Sequence, residues 1–430
     1  MLKNTLKKIV AGILEWEAKL ILKKYQPTII GITGSVGKTS AKEAIFAVLR
    51  TKYKVRQSAK SYNSELGVPL TIINRPTAWR SLTGWLQNIF EGLALIIFPN
   101  RYPDYLVLEI GADRPGDIKK IARWLKPATA VITRLPDVPV HIEFFKTKES
   151  LIQEKLSLAK AVRKDGVVIL NIDDDNIRPI VDSLETKVLT YGFNQQAEVW
   201  ASDDHIRYDG DRPDGLAYKL NYQGRSVPVR VRGAIGRHHI YTTLAACAVG
   251  LTHGLNEVEI AEAIGDFATP PGRMRLIPGI KDTLIIDDTY NASPAAVEAG
   301  LLTAAEVKIK GRQIAVLADM LELGEYTIEA HKQIGKLLAG QTDLLLLVGL
   351  RAKFIAEGAM AAGLSADKIN YFDDATAAGK YLQNLIKAGD LIYIKGSQSM
   401  RMEKAVEEIM AEPERKAELL CRQETEWRNR

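Results

Sequence analysis

The sequence predicts an α/β protein built from two successive units, each with its own largely parallel sheet. Near the start of the chain a glycine-rich loop with a lysine lies between a strand and a helix. Apolar strand-like runs then alternate with helical stretches, and a Pro-Pro-Gly break at 270–272 precedes a second series of strand–helix repeats. We therefore expect an N-terminal helix over 1–27, a central domain over 28–270 and a C-terminal domain over 271–430.

Length and composition describe an ordinary globular protein. The chain has 430 residues, of which 46% are hydrophobic and 26% charged, so the collagen-like, wholly disordered and coiled-coil classes are excluded. Two cysteines, Cys247 and Cys421, are too few for a disulfide framework or a four-cysteine zinc site, and they are typical of a reducing compartment. Cytoplasmic localisation is the expectation.

Positive charge is concentrated at the start of the chain. The net charge is +6, and residues 1–60 contain 13 Lys and Arg against 3 Asp and Glu. Such a segment could face phosphates or an anionic membrane surface, although a solvated cationic face is the simpler explanation. No RNA- or DNA-binding motif accompanies the charge, so we expect no nucleic-acid partner.

The first 25 residues have the spacing of an amphipathic helix. Glu15 and Glu17 interrupt the apolar run and no small-residue cleavage site follows, which argues against a removed signal peptide. We expect the helix to pack on the main domain or, alternatively, to make peripheral contact with a membrane. Its apolar stripe recurs at intervals of three and four and comprises Leu2, Leu6, Ile9, Ile13, Trp16 and Leu20.

A second apolar stretch extends from Leu82 to Phe98. It has 17 residues and contains Glu91, so it is short for a membrane span and fits a buried or interfacial helix better. We expect no transmembrane segment.

Short apolar runs predict the strands. TIIGI begins at Thr28, and YLVLEI (105–110), TAVIT (129–133) and GVVILNI (166–172) have the continuous hydrophobicity of parallel core strands. Residues 195–233 alternate and are interrupted by turn residues, which indicates hairpins. Beyond the Pro-Pro-Gly break the predicted strands are TLIIDD, RQIAVLAD, TDLLLLVG and DLIYIKG.

The loop after the first strand, TGSVGKTS, predicts a nucleotide-phosphate site, because backbone N–H groups at a helix N-terminus can surround phosphate oxygens. Lys38 would reach the β- and γ-phosphates, and Thr39 would offer its hydroxyl to Mg²⁺. The general pattern requires glycine where this chain has Ile32, so the strand and helix context supports the site. The loop comprises Thr33, Gly34, Ser35, Val36, Gly37, Lys38, Thr39 and Ser40.

Three further residues of the central domain are ambiguous from the sequence alone. Glu109 ends the run YLVLE, at the edge where α/β sheets display functional side chains, and could ligate a metal or cap the next helix. His141, in VPVHIEFF, is equally consistent with a packed or surface histidine. Lys155 lies next to an apolar helix face beside Glu154, which is typical of a solvated lysine.

The C-terminal domain has three polar clusters that follow predicted strands. They are 287–294 (DDTYNASP), 319–324 (DMLELG) and 395–397 (KGS). Because the carboxyl ends of parallel strands share one edge of a sheet, we expect the clusters to converge there and to face a cleft.

Together these motifs resemble the Mur ligase family, and most closely its MurF branch. The match runs in order from residue 28 to about 405 and includes NSELGVP at 63–69. The strings DDTYNASP and DMLELGE are specific to that branch, whereas the phosphate loop is shared by the whole family. The resemblance implies a P-loop central domain with a mostly parallel sheet, followed by a Rossmann-like C-terminal domain.

The resemblance also implies cofactors and residue roles. ATP and one or two Mg²⁺ ions would be bound, with Thr39, Glu109 and His141 as metal ligands. Lys155 would correspond to a lysine that is carbamylated in many members and helps to hold a second Mg²⁺, and it would act in catalysis with Lys38, Glu109 and His141. The further nucleotide contacts implied are His239, Arg273, Asp288 and Asn291.

The implied activity is ATP-dependent amide formation in peptidoglycan precursor synthesis, through an acyl phosphate. D-alanyl-D-alanine or a similar amine would be added to a UDP-muramyl peptide, and the protein is expected to be a monomer. Alternatives are a ligase with a folate-like or lipid-linked acceptor, and a nucleotide-binding regulator without ligase activity. The MurF-specific strings disfavour folate. The presence of Lys38, Glu109, Lys155 and Asp288 together disfavours a regulator.

Three departures from the family pattern stand out. His238-His239 replaces the family's His-Asn pair, which affects one adenine contact, and the approach to His141, TRLPDVPVHIE, differs from the usual asparagine-rich segment. About 27 residues precede the first strand, so we expect the N-terminal domain that binds UDP in the MurF branch to be lacking.

Overall fold

The structure is a computed structural model that describes residues 2–58, 62–78, 81–112, 114–135, 145, 147–424 and 427, with side chains from residue 7 onward. In this part of the chain fifteen strands form two sheets, and helices cover both sheets.

The first sheet and its helices occupy the chain up to residue 265. The strands are β1 (Thr28–Thr33), β2 (Val55–Gln57), β3 (Tyr105–Glu109), β4 (Thr129–Ile132), β5 (Val167–Asn171), β6 (Lys187–Gly192), β7 (Val199–Asp209), β8 (Arg212–Tyr222) and β9 (Arg225–Arg232). The helices are α1 (Leu2–Tyr25), α2 (Lys38–Leu49), α3 (Gly67–Ile73), α4 (Leu82–Ile97), α5 (Asp117–Leu125), α6 (Lys148–Ala159), α7 (Arg237–Thr252) and α8 (Glu257–Gly265).

The second sheet and its helices follow from residue 275. The strands are β10 (Arg275–Gly279), β11 (Thr283–Asp288), β12 (Gln313–Ala318), β13 (Leu344–Val348), β14 (Ile369–Phe372) and β15 (Leu391–Lys395). The helices are α9 (Pro294–Glu306), α10 (Thr327–Leu338), α11 (Lys353–Ala361), α12 (Ala375–Leu385), α13 (Glu403–Ile409) and α14 (Lys416–Leu419).

The strand order of the first sheet is β2-β3-β1-β4-β5-β6-β7-β8-β9. Pairing is parallel from β2 to β7 and antiparallel from β7 to β9. Helices cover both faces of the parallel part, so its strands are buried on both sides and their sequences are continuously apolar. The register pairs Ile32 with Glu109, which places the glycine loop and the end of β3 at the same edge.

The second sheet has the order β10-β11-β15-β12-β13-β14, and all of its pairs are parallel except β10–β11. Because β11, β15 and β12 are neighbours, the three polar clusters that follow them share one edge. The predicted α/β class with mostly parallel sheets is confirmed, and the hairpins expected within 195–233 are β7 to β9. The division of the chain into three domains at 27/28 and 270/271 stays a prediction.

The N-terminal helix forms as predicted, but the residues it buries in the core are not those of the predicted apolar stripe. Leu14, Ala18 and Ile21 are fully buried in the core beneath the sheet. Ile9 and Trp16, which belong to the predicted stripe, are 54% and 53% exposed. The prediction that the helix packs on the main domain is therefore confirmed, although other residues make most of the contact. Ile13 and Leu20 of the stripe are half-buried, and the side chains of Leu2 and Leu6 lie outside the described residues. The helix has apolar residues on two sides, and periodicity does not tell which side the core takes.

The stretch from Leu82 onward also forms a helix, and it is only partly covered. Asn88 and Gly92 are its only buried positions, whereas Leu86 and Phe90 are 56% and 67% exposed. Of the two alternatives from the sequence, a buried helix is thus wrong and a helix at an interface is consistent. Among the described residues, no helix is both long enough and apolar enough to cross a membrane.

The C-terminal ends of α1 and α4 are tied together by polar contacts. The ammonium group of Lys24 donates to the carbonyl oxygens of Leu95, Ile96 and Phe98 at 3.0, 2.9 and 2.7 Å. These carbonyls lack partners within the helix, and a cation there also interacts favourably with the helix dipole. Lys24 therefore caps α4 and fixes it beside α1.

A carboxyl group is buried where the two helices meet. Glu17 is fully buried, and neither of its side-chain oxygens has a hydrogen-bond partner among the described residues. It packs on Gly92, where any Cβ atom would collide with the carboxylate. Burial raises the pKa of Glu17 to about 7, because the charged form loses its hydration.

Glu17→Gln tests whether the buried carboxylate destabilises the fold, through the pH dependence of the free energy of unfolding. Because the folded-state pKa of about 7 lies above the usual value of 4.5, the folded protein keeps the proton more tightly. The contribution of Glu17 to stability is therefore fully present below pH 4.5 and is lost as the pH rises through 7. We expect the variant to gain roughly 1–3 kcal/mol on the wild type between pH 5 and pH 8. Urea unfolding of both proteins at pH 5 and pH 8 measures this difference in the free energy of unfolding.

Glu15→Gln is the matched control on the same helix. Glu15 is partly exposed and pairs with Lys19 at 2.6 Å, so its removal should change stability by less than about 1 kcal/mol at either pH. If the free energies of unfolding of Glu17→Gln and the wild type differ by the same amount at pH 5 and pH 8, the destabilising effect of the ionised Glu17 is contradicted.

Candidate active site

The glycine loop after β1 depends on unusual backbone angles. Gly34 and Gly37 have φ values of +147° and +86°, which side chains other than glycine rarely adopt. The N–H groups of Ser35 and Val36 donate to the carbonyl of Arg134 at 2.9 and 3.4 Å, so the loop is fastened to the segment after β4. These two N–H groups therefore serve the fold, and the loop leads directly into the N-terminus of α2, which starts at Lys38 and whose first N–H groups have no partner within the helix.

Two lysines converge on one backbone oxygen of this loop. Lys38 and Lys155 both donate from Nζ to the carbonyl of Gly34, each at 3.0 Å. Lys155 lies on α6 and is only 3% exposed, so the solvated lysine expected from its neighbours in sequence is wrong. Two ammonium groups within about 6 Å of each other repel, and an anion placed beside them is stabilised.

An acidic centre lies next to the two lysines. Glu109 ends β3, is 2% exposed, and accepts hydrogen bonds from the Thr39 hydroxyl at 3.0 Å and from Asn63 Nδ2 at 3.2 Å. These contacts orient both carboxylate oxygens, and Thr39 and Asn63 bring further oxygen atoms close to them. Oxygen atoms of this kind are the ligands that Mg²⁺ prefers in proteins.

The edge of the second sheet contains a buried ion pair. Lys395, at the end of β15, donates to Asp288 at the end of β11 over 2.5 Å, and the side chains are 3% and 8% exposed. The Tyr393 hydroxyl donates to the same carboxylate at 3.3 Å. Burial lowers the pKa of Lys395, and the charge of Asp288 opposes that shift. Asp288 is thus neutralised within the protein.

The remaining polar clusters hold the neighbouring loops in place. Asp319, just after β12, accepts the N–H groups of Arg351 and Ala352, both at 2.8 Å. The N–H of Ser397 donates to the Asp319 carbonyl at 3.1 Å, and the Ser397 hydroxyl accepts from the N–H of Leu321 at 2.9 Å. The predicted convergence of the three clusters on one edge is confirmed.

A cleft of about 720 Å³ lies between the two sheet edges, which confirms that the second edge faces a cleft. The guanidinium of Arg273 stacks on the ring of Tyr290 with 4.1 Å between them, and its Nε is buried without a hydrogen-bond partner among the described residues. The sequence-predicted residues that line the cleft are Ser35, Gly37, Lys38, Thr39, Glu109, Lys155, Arg273 and Asn291.

Other predicted residues lie away from the cleft lining. Asp288 is engaged by Lys395, and His239 is fully buried with its Nε2–H donating to the Arg273 carbonyl at 2.8 Å. Burial holds the pKa of His239 well below its usual range, so the ring is neutral. Thr33, Gly34, Val36 and Ser40 shape the loop without lining the cleft. His141 lies outside the described residues.

Sequence reasoning missed several residues of the cleft. Asn63 was part of a matched motif without a role, and its side chain orients Glu109. Tyr290 lies inside the DDTYNASP string, which was the available signal. Arg401 and Trp427 also line the cleft, and Arg401 donates to the Trp427 carbonyl at 2.8 Å. No local pattern marks Trp427, because its position depends on the path of the C-terminal chain.

Chemically, the cleft combines a helix N-terminus and two lysines on one side with a carboxylate beside them. It is large enough for a nucleotide. Among the described residues no three His, Cys, Asp or Glu side chains come together to form a metal site on their own.

Comparison with known proteins gives a consistent assignment. The family model of the Mur ligase middle domain matches residues 91–250, and that of the Mur ligase glutamate ligase domain matches residues 272–398. The UDP-N-acetylmuramoyl-tripeptide–D-alanyl-D-alanine ligase of Mycobacterium leprae is 31% identical over 401 residues, which cover 87% of this chain and 71% of that protein. Its namesake from Bacillus subtilis is 27% identical over 397 residues, covering 92% and 79%.

A solved structure is similar over nearly the whole chain. The crystal structure of MurF ligase from Thermotoga maritima in complex with ADP superposes with a TM-score of 0.74 at 25% identity. The superposition covers 95% of this chain and 84% of that one.

Gly34→Ala tests the geometry of the loop. A Cβ atom at this position would collide with the Thr133 hydroxyl, and φ of +147° is strained for alanine. The carbonyl that holds Lys38 and Lys155 would move, so we expect ATP affinity to fall at least about tenfold. Titration calorimetry with ATP measures it.

Gly116→Ala is the matched control, because Gly116 also has a positive φ, +95°, but its Cβ would meet no atom within 4 Å. That variant should bind ATP as the wild type does. Equal ATP affinity of Gly34→Ala and the wild type would contradict the importance of this carbonyl.

Proposed function

The chain belongs to the Mur ligase family and is an ATP-dependent ligase, and from that premise we propose that it adds D-alanyl-D-alanine to a UDP-muramyl tripeptide in peptidoglycan precursor synthesis. The strongest single observation in favour is the cleft in which Lys38 and Lys155 share the Gly34 carbonyl, opposite the edge that follows β11, β12 and β15. The names of the relatives, which match over most of their length, support the same substrates.

In this proposal the first step is phosphoryl transfer to the carboxylate of the muramyl peptide. A carboxylate is a poor electrophile, so ATP converts it to an acyl phosphate and ADP leaves. Lys38 and the N-terminus of α2 would stabilise the charge on the transferring group, and Ser35 and Gly37 would lie against the phosphates. The amine then attacks the acyl carbon, and phosphate leaves.

Mg²⁺ would be held by Thr39 and Glu109, with His141 as a further ligand. The oxygen atoms of Thr39 and Glu109 lie 3.0 Å apart at the cleft and suit this hard cation. When bound, the ion would neutralise charge on the phosphate oxygens. Asn63 would keep the Glu109 carboxylate in position through its 3.2 Å hydrogen bond.

Lys155 would be carbamylated in the active enzyme. Its ammonium group would first lose a proton, and the neutral Nζ would then add carbon dioxide and release a second proton, which turns a cation into an anion with two oxygen atoms. This change would remove the repulsion between the two ammonium groups at the Gly34 carbonyl and supply ligands for a second Mg²⁺. The near-complete burial of Lys155 supports the proposal, because burial disfavours an ammonium ion.

The second sheet would bind the rest of the nucleotide and the amine. Arg273 and Asn291 face the cleft and would contact ATP, whereas Asp288 would act through its ion pair with Lys395, which stiffens the loop. For His239 we propose a supporting role behind Arg273, whose carbonyl it binds. We further propose the boundaries 27/28 and 270/271 for the domains, a monomeric protein, and peripheral membrane contact through the N-terminal helix.

A phosphate-release assay tests the function. Purified protein with ATP and Mg²⁺ should release phosphate only when both UDP-muramyl tripeptide and D-alanyl-D-alanine are present. Lys38→Ala should lower kcat by a factor of about 100 to 1,000, because it removes one charge that stabilises the transition state. Lys160→Ala, an exposed lysine that pairs with Gln153, should retain wild-type activity.

Two acceptors separate this proposal from the alternatives. Turnover with folate and glutamate, or only with a lipid-linked precursor, would move the function to another ligase. If no acceptor leads to phosphate release, the proposal that the protein acts on these substrates is contradicted.

Carbamylation of Lys155 has its own test. Removal of carbon dioxide and bicarbonate should lower kcat, and bicarbonate should restore it. With ¹³C-labelled bicarbonate, the wild type and Lys160→Ala should show a carbamate carbon resonance that Lys155→Ala lacks. A wild-type spectrum without this resonance, together with bicarbonate-independent activity, would contradict the modification.

A further inference from the structure

Helices α1 and α4 present an apolar surface that no part of the described chain covers. Fifteen large hydrophobic side chains are exposed among the described residues, and seven of them lie on these two helices or directly after α4. We call this surface the α1/α4 ridge. Its members, each at least 53% exposed, are Ile9, Trp16, Leu82, Leu86, Phe90, Ile97 and Phe98.

The contacts between the helices make the ridge continuous. Glu17 of α1 packs on Gly92 of α4. Residues three or four positions apart are neighbours on a helix, so the half-buried pairs Ile13/Leu20 and Ile89/Ile96 flank this contact on either side. Apolar residues therefore lie on both sides of the Glu17–Gly92 contact.

The same spacing connects that line to the exposed residues. Trp16 lies three residues from Ile13 and four from Leu20, and Phe90 lies one turn from Leu86. The exposed members thus extend outward from the contact line, on the side away from the core residues Leu14 and Ile21.

Positive charge borders the ridge. Lys7, Lys8, Lys19 and Lys23 are exposed on α1, and the single partly exposed acid of that helix, Glu15, pairs with Lys19. On α4 the one acidic residue, Glu91, faces Arg75 at 3.9 Å. An apolar helix surface rimmed by lysines complements a layer of anionic headgroups above hydrocarbon. Two copies of the ridge would bring like charges together, which disfavours self-association.

We propose that the α1/α4 ridge binds the surface of an anionic phospholipid bilayer, with Leu86, Phe90 and Ile97 entering the headgroup–acyl boundary and the lysines of α1 contacting the headgroups. The protein lies on the membrane and does not span it. This inference goes beyond the proposed ligase reaction and beyond the N-terminal helix, because α4 supplies most of the apolar contact. It does not depend on the identity of the acceptor.

Vesicle sedimentation tests the ridge without any substrate. The full chain should co-sediment with vesicles of phosphatidylglycerol and phosphatidylcholine, and much less with phosphatidylcholine alone. Rising salt should weaken binding, because the headgroup attraction is screened. Phe90→Asp should reduce the partition coefficient at least about tenfold. An aromatic ring that enters the bilayer in the proposal is replaced by a negative charge, which anionic headgroups repel. Lys23→Glu should weaken binding to the anionic vesicles only.

Val258→Asp is the matched control. Val258 is 55% exposed on α8, and α8 packs on the opposite face of the first sheet, so this variant should bind vesicles as the wild type does. ATP binding and circular dichroism report the fold of each variant, and Leu86→Asp replaces Phe90→Asp if the latter is misfolded.

Several results would overturn the proposal. They are failure of the wild type to bind anionic vesicles at low salt, equal binding of the ridge variants and the wild type, and equal binding to neutral and anionic vesicles. A wild-type dimer in light scattering that Phe90→Asp converts to a monomer would assign the ridge to a second copy of the chain instead. If the wild type binds vesicles as expected but shows no ligase activity, the proposed reaction is contradicted and the membrane proposal is not.

Discussion

The carbonyl oxygen of Gly34 determines how positive charge is arranged in the cleft. It accepts hydrogen bonds from Lys38, four residues later in the loop, and from Lys155, on a helix more than 100 residues away. The oxygen reaches this position because Gly34 has a positive φ and packs closely on Thr133 at the end of β4. Two adjacent strands, one loop and two helices thus meet at a single acceptor, and the positive charge on this side of the cleft follows from that meeting point.

The acidic residues at the two sheet edges differ in the charge of their partners. At the first edge Glu109 receives hydrogen bonds from neutral groups, the Thr39 hydroxyl and the Asn63 amide, so its charge is oriented but not cancelled. At the second edge Asp288 is paired with Lys395 in a buried contact, so its charge is cancelled and its loop is stiffened. An uncancelled carboxylate suits a cation that carries phosphates, whereas a stiff loop suits the positioning of Arg273 against Tyr290.

The parts of this fold that could be predicted from sequence are those determined by local pattern. Continuous apolar runs mark β1, β3, β4 and β5, because parallel strands are buried on both faces. The edge clusters were predictable as well, because the carboxyl ends of all parallel strands lie at the same edge of a sheet.

Long-range contacts explain what local pattern could not supply. Lys155 has the sequence neighbourhood of a solvated lysine, and only the packing of α6 on the sheet brings it to Gly34. His239 has the family position of a nucleotide contact, yet the fold buries it behind Arg273. For α1 the helix and its packing on the protein were predicted correctly, and only the set of residues that faces the core was not. The core takes Leu14, Ala18 and Ile21, a set with the same period as the exposed stripe.

The contact between α1 and α4 shows why the ridge is not simply unused core surface. A buried carboxyl without a partner destabilises a fold, and an apolar residue at position 17 would pack the helices without that cost. The chain instead keeps Glu17 there, leaves room for it at Gly92, and holds the helix ends together through Lys24. Core burial accounts for the inner side of α1, through Leu14, Ala18 and Ile21, but not for the exposed apolar residues of the ridge. The ridge residues are exposed beside a rim of lysines, and burying them against an apolar layer with anionic headgroups, as proposed above, would lower the free energy.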